Sequence, residues 1–118
     1  RAQELGVKIT VGADSNPLGE IGLLEIEQLV FSGMTEMQAI IAATKNSAEM
    51  SNVLETVGTI EEGKIADLIV LADNPLKHIS NIRKLKMVLK NGKKVDISFP
   101  DQQTSFWKLY FKEFEKEE

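Results

Sequence analysis

The chain has 118 residues, of which 42% are apolar, so it is long enough for one domain with a hydrophobic core and too apolar for a disordered tail. Its formal net charge of −4 offers no long-range attraction to phosphate backbones or anionic lipids, and we therefore expect neither nucleic acid nor a membrane as a partner. The lack of cysteine and the single histidine exclude a thiolate zinc site or a multi-histidine site made by this chain alone, and a cytoplasmic location is the expectation.

The first element predicted in chain order is a buried strand. Residues 7–14, VKITVGAD, are apolar and β-branched up to a final Gly and Asp, which is typical of an interior strand of a parallel sheet. Residues 21–32 then space their apolar side chains as in an amphipathic helix, and Gly33 is well placed to end it.

Two capping signals follow this helix. Thr35 and Gln38 have the spacing of a capping box, which predicts a second helix over residues 36–43. Asn46 repeats that signal with a glutamate three residues later, and a third short helix is expected over residues 47–52.

The second half of the sequence is predicted to be extended. Residues 67–71 form a strand in this prediction, and Asp67 is interpreted as a hydrogen-bonding residue at its entry. The pair Asn91-Gly92 separates two short apolar stretches and is the strongest short-range signal for a two-residue hairpin. The tail, residues 99–118, carries an aromatic stripe that predicts a C-terminal helix docked on another apolar surface.

The predicted strand over residues 7–14 has no evident neighbouring strands in the sequence. A strand buried on both faces needs neighbours on both edges, and no second strand of that type lies near it in the sequence. We therefore expect a piece of a larger α/β protein, with one terminal βα unit of a barrel followed by part of a β-domain. An unpaired apolar strand is also a template for a second chain, so a homo-oligomer is expected.

Four blocks of sequence resemble a known family, in the family's order and with family-like spacing. The blocks are GADS (12–15), SGMTEMQAIIAATKNSAEM (32–50), VGTIEEGKIADLIVLADNPL (57–76) and MVLKNGKKV (87–95). Together they resemble the C-terminal portion of the metal-dependent amidohydrolases, nearest the imidazolonepropionase-like and prolidase-like branch. The likeness extends over about residues 6–96 and leaves out the aromatic tail.

This resemblance implies a fold and a division of the chain. The chain is similar to the C-terminal fragment of a (β/α)8 TIM barrel together with part of the family's small β-sandwich domain. Residues 1–56 then correspond to the last strand and helices of the barrel, and residues 57–98 to the C-terminal part of the β-sandwich. Residues 99–118 lie outside the resemblance and are predicted to form a separate aromatic helix.

The resemblance also implies a role for Asp14. In this family an aspartate closes the eighth barrel strand, where it binds a divalent metal, expected to be zinc, and acts as the catalytic base. Asp14 in GADS has that position, whereas the family's other ligands have no counterpart here, so no metal is expected in this chain alone. From the residues alone, Asp14 has the alternative of capping the following helix. His78, in a polar connection with no second ligand nearby, is interpreted as a surface or loop histidine.

The function implied for the full-length parent is hydrolysis of a C–N bond in a small-molecule substrate, a cyclic amide or a dipeptide-like amide. The 118 residues alone are expected to be inactive, because a catalytic metal needs three or more protein ligands. The alternative is a non-catalytic assembly or interaction module that makes contact through its β-segment and aromatic helix.

Overall fold

The computed structural model describes residues 2–14 and 18–97. The predicted aromatic helix over residues 99–118 lies outside these ranges. Within them the chain forms a helical part followed by a small antiparallel sheet, so the described residues contain both helices and strands. None of the helices in the described ranges is long and apolar enough to cross a bilayer.

Helix α1 spans Leu18–Phe31 and ends as the sequence predicts. Gly33 has a φ of +103°, which a residue without Cβ adopts without strain. The N–H of Gly33 donates to the Val30 carbonyl at 2.9 Å and the N–H of Met34 to the Leu29 carbonyl at 3.1 Å. These two bonds form a Schellman motif, so the predicted stop is confirmed, while the helix begins three residues earlier than predicted.

The next helical run covers residues 36–50 in three pieces. Helix α2 spans Glu36–Ile41, a π-helical segment spans Ala42–Asn46, and helix α3 spans Ser47–Met50. The predicted capping box is confirmed, because the Gln38 N–H donates to the Thr35 hydroxyl while the Gln38 side chain accepts the Thr35 N–H at 2.8 Å.

The second predicted cap is wrong. Asn46 has helical torsions, φ −67° and ψ −40°, and its side chain makes no capping hydrogen bond. The chain passes from the π-helical segment into α3 without a break, so no free helix N-terminus exists there for Asn46 to cap.

The sheet contains strands β1 Leu68–Leu71, β2 Leu85–Lys90 and β3 Lys93–Val95, in the order β1-β2-β3 and antiparallel throughout. The turn between β2 and β3 places Asn91 at φ 51° and Gly92 at φ 73°, positive values that are typical of a type I′ turn, and the predicted two-residue hairpin is confirmed. The predicted strand over residues 67–71 is confirmed with its start one residue later.

The two parts of the fold meet through a short 3-10 helix, Ile79–Arg83, which lies between β1 and β2 and packs against α1. The buried core of the described residues is small: its apolar members are Ala39, Ala42, Ala48 and Ile82, of which Ile82 lies on this 3-10 helix. Arg83 on the 3-10 helix donates two hydrogen bonds of 2.8 Å to the carboxylate of Glu27 on α1. This bidentate pair raises the pKa of Arg83 and fastens the sheet part to the helices.

The strand predicted over residues 7–14 is not formed. These residues follow a turn at 2–6 and have no regular secondary structure, and the strands β1 to β3 pair only among themselves within the described ranges. A strand requires a neighbouring strand, and none pairs with residues 7–14 within the described ranges; side chains from the helices bond to their backbone instead.

Candidate functional site

Asp14 lies at the end of the irregular segment 7–14, four residues before α1 begins, and its side chain is exposed. Its carboxylate is therefore accessible to a ligand from outside the described residues. The alternative in which Asp14 caps α1 depends on residues 15–17, which lie outside the described ranges.

Three side chains from the helices hold the backbone just ahead of Asp14. Glu25 on α1 accepts the Gly12 N–H with both carboxylate oxygens, at 3.1 and 3.2 Å. Asn46 donates from its amide nitrogen to the Ile9 carbonyl oxygen at 2.9 Å, and the Ser47 hydroxyl accepts the Val11 N–H at 3.3 Å. We call Glu25, Asn46 and Ser47 the 9–12 clamp.

This arrangement was not predicted from the sequence, although the sequence contains one signal for it. Asn46 follows the buried Ala39 and Ala42 at helical spacing, so it lies on the packed face of its helical run. A half-buried polar side chain on such a face needs a hydrogen-bond partner, and the partner here is 37 residues away in the sequence. The prediction that Asn46 caps a helix gave its side chain a hydrogen-bond partner close in the sequence, whereas the observed partner is the distant Ile9 carbonyl.

Among the described residues, Asp14 could supply one ligand of a metal site, but these residues do not form a complete site. No three histidine, cysteine, aspartate or glutamate side chains come together within residues 2–14 and 18–97 in a way that would hold a metal ion. His78 is exposed, directly precedes the 3-10 helix and does not cap it, which confirms the prediction of a loop histidine. A metal at Asp14 would need its remaining ligands from other parts of a longer protein.

Among the described residues, the surface around segment 7–14 carries charged side chains and open hollows. A shallow hollow of about 270 Å³ is lined by residues that include Lys8, Asn46 and Glu49, and Asp14 is not among them. The Lys8 ammonium donates a hydrogen bond to the Glu49 carboxylate, which holds the pKa of Glu49 below its usual value. This pair adds a further link between the segment and α3.

The family of the chain follows from comparison with known proteins. Residues 1–95 match the amidohydrolase family, and the chain belongs to it. The resemblance found in the four sequence blocks is thereby confirmed.

Individual proteins that are similar to this chain agree with the family match. Ochratoxinase of Aspergillus niger is 35% identical over 96 residues, which cover 78% of this chain and 20% of that protein. Imidazolonepropionase of Porphyromonas gingivalis is 33% identical over 81 residues, which cover 65% of this chain and 19% of that protein. The solved structure of a Xaa-Pro dipeptidase with methionine bound in its active site has a TM-score of 0.74 and 36% identity, over 80% of this chain and 24% of that one.

The chain thus spans about a fifth of the length of the curated relatives it matches. Its structural neighbours are amidohydrolases, and the described residues form a small α/β fold with a three-stranded sheet.

Proposed function

We propose that this chain is part of a metal-dependent hydrolase that cleaves a C–N amide bond in a small molecule, with Asp14 in its active site. The observation that carries the proposal is the family match over residues 1–95, combined with an exposed carboxylate at the end of a segment that helices hold in place. The named relatives act on different amides, and the proposal takes only the bond type from them.

We further propose how the chain contributes to the larger protein. Residues 1–56 would supply the last strand and helices of a TIM barrel, and residues 57–98 part of a β-sandwich domain. In that setting residues 7–14 pair with neighbouring strands that this chain does not contain, which accounts for their missing backbone partners. Apolar side chains that are exposed here, such as Phe31 and Ile60 at 87% each, would be covered by the rest of the protein.

Asp14 would have two roles in the reaction. Its carboxylate supplies one oxygen ligand to a divalent cation, for which zinc is the expectation, and the bound cation would lower the pKa of a water to about 7. The same carboxylate accepts the proton of the attacking water and later returns it to the leaving nitrogen. Position supports both roles, because active-site groups of barrel enzymes lie where strands end.

The first prediction tests this assignment in the full-length parent protein. Asp14→Asn keeps the side-chain shape but removes the anionic ligand and the base, so kcat/KM is expected to fall at least about 10²-fold while the melting temperature stays nearly unchanged. The substrates are an Xaa-Pro dipeptide, imidazolonepropionate and ochratoxin A. The control is Asp73→Asn, which changes an exposed aspartate paired with Lys84 at 2.7 Å and should leave the rate unaltered.

Retention of more than about a tenth of the activity in Asp14→Asn would show that Asp14 is not the base. A parent protein that binds no metal and hydrolyses none of these amides would support the alternative of a non-catalytic assembly module.

A further inference from the structure

One face of the three-stranded sheet carries an apolar row bordered by lysines. Residues that pair across antiparallel strands share a face, as do residues two apart along a regular strand. Ile69 pairs with Val88 and Val88 with Val95, so these three side chains form a row across all three strands. Beside the row, towards the hairpin turn, Lys90 pairs with Lys93 on the same face. We call these five residues the lysine face.

The opposite face of the sheet is apolar on β1 and β2. Its members there are Leu68, Val70, Met87 and Leu89. In a β-sandwich each sheet turns its apolar face inwards onto the second sheet and its other face outwards. In the proposed β-sandwich the lysine face is therefore the outer one, and it stays accessible when the rest of the protein covers the inner face.

The apolar row of the lysine face is more exposed than an outer face needs to be. Ile69 is 54% exposed and Val95 38% exposed, and Val88 between them is half-buried. A continuous apolar row of this kind on an outer sheet face favours a partner that is apolar at its centre.

The tail, residues 99–118, has a sequence that complements the lysine face. The family match ends at residue 95, so the tail lies beyond the matched region. With about 3.6 residues per turn, a helix over the tail places its aromatic residues on one side. These are Phe106, Trp107, Tyr110, Phe111 and Phe114. Several aromatic side chains that bury roughly 150–250 Å² each need a surface to cover them.

The charges of the tail follow the same helical pattern. Glu113 and Glu117 border the aromatic side of the predicted helix, whereas Lys108, Lys112 and Lys116 fall on the opposite side. An aromatic side bordered by glutamates matches an apolar row bordered by lysines in both polarity and charge.

The tail is also tethered next to this surface. Strand β3 ends at Val95, which is itself a member of the apolar row. Three strands span only about 10 Å. The eight residues 96–103 reach about 26–29 Å when extended, so they allow the tail to lie anywhere on this face. A short tether gives an effective concentration of the order of mM, which favours the tail of the same chain over that of a second copy.

We propose that the aromatic tail folds back onto the lysine face of its own sheet, with its aromatic side on the row Ile69–Val88–Val95 and its glutamates beside Lys93. The choice between the two faces rests on the β-sandwich in the proposed function. The docking itself requires no catalytic activity and is tested without an activity measurement.

The decisive experiment is zero-length carbodiimide cross-linking of the full-length parent, followed by mass spectrometry. This reagent joins a lysine amine to a carboxylate that it contacts, so Lys93 is expected to be linked to Glu113 or Glu117. Lys94 is the matched control, because it is adjacent in the same strand and lies on the other face. Its yield of cross-links to the tail should be at least about tenfold lower. In a mixture of ¹⁴N- and ¹⁵N-labelled protein, both peptides of each cross-link should carry the same label.

Two variants test the apolar contact from its two sides. Ile69→Ser shortens the row, and Trp107→Ser removes one aromatic side chain from the tail, so each should lower the Lys93 cross-link yield at least about fivefold. Trp107 lies beyond the family match, so its replacement leaves the matched fold intact. Lys108→Ser is the control, since it changes the neighbouring residue on the opposite side of the predicted helix. It should leave the yield unchanged.

Each other outcome would overturn the proposal. Cross-links from the tail to Lys94 instead of Lys93 would place the tail on the other face. Cross-links with mixed labels would assign the tail to a second copy. No link to either lysine, or a yield that Trp107→Ser does not lower, would show that the tail does not dock there. The activity of Asp14→Asn tests the proposed function separately.

Discussion

Gly58 is the residue at which backbone conformation and packing are most tightly linked. Its φ is +93°, and a Cβ added there would lie 2.5 Å from the Cβ of the buried Ala48 and 3.2 Å from the Thr44 carbonyl oxygen. The loop that leaves the helical part therefore crosses directly over α3. Only glycine allows both the torsion and the close approach.

Gly58→Ala is accordingly expected to lower the free energy of unfolding by roughly 2–4 kcal/mol, the combined cost of an unfavourable torsion and an overpacked contact. The matched control is Gly63→Ala, since Gly63 has a similar φ of +87° but no atom within 4 Å of an added Cβ. It should cost only the torsion, about 1 kcal/mol. Urea denaturation of the three proteins measures both values, and equal losses in the two variants would disprove the close contact.

At the scale of elements, Asp67 links the hairpin turn to the start of β1. Its carboxylate accepts the Asn91 N–H at 2.7 Å and a hydrogen bond from the Lys90 ammonium, while the Gly92 N–H donates to the Ala66 carbonyl at 2.9 Å. The interpretation of Asp67 as a hydrogen-bonding residue at the strand entry is confirmed. The hydrogen bond from Lys90, and next the one from Asn91, hold the pKa of Asp67 below its usual value.

A pKa lowered by folding makes the stability depend on pH with a definite sign. The contribution of Asp67 is complete above the pKa of the unfolded chain, near 4, and is lost as the pH falls through the lower pKa of the folded state. Asp67→Asn should therefore be less stable than wild type at pH 7, and the difference should shrink as the pH falls from about 4 towards 2. Urea denaturation across this range tests it. Lys90→Gln should weaken the same pH dependence, and a difference that stays constant with pH would contradict the assignment.

At the scale of the whole molecule, the described residues leave much apolar surface in water. Within them no large side chain is completely buried, and Phe31 and Ile60 are each 87% exposed. Exposed apolar area of this kind marks a surface that another chain or another part of the same protein covers. The expectation of a homo-oligomer was first based on the unpaired edge of the strand predicted over residues 7–14. It is now based on the exposed apolar side chains.

The isolated 118-residue chain is expected to self-associate, with a sedimentation coefficient that rises with protein concentration. Phe31→Lys should weaken this association, because it replaces an exposed apolar side chain with a charged one. Gln28→Lys is the control, since it adds the same charge to an exposed polar position of the same helix. A monomer at every concentration would show that the exposed apolar surface does not bind a second copy.

Patterns within a few neighbouring residues were sufficient to predict much of the fold. The end of α1 at Gly33, the Thr35–Gln38 capping box and the Asn91-Gly92 turn each depend on torsions and hydrogen bonds within a few residues, and all three are present as predicted. The family was likewise identified from four sequence blocks and is confirmed by the match over residues 1–95.

The remaining features of the fold depend on contacts between residues that are distant in the sequence. The sequence by itself determined the end of α1, the start of α2, the hairpin, the family and the candidate Asp14, because those depend on local chemistry or on recognisable motifs. Only the tertiary structure decided that residues 7–14 are held by side chains rather than by a strand, and that Asn46 bonds to Ile9 instead of capping a helix. The physical reason is that a polar group takes whichever partner folding brings within hydrogen-bond distance, and residues 37 positions apart become neighbours only after the chain has packed.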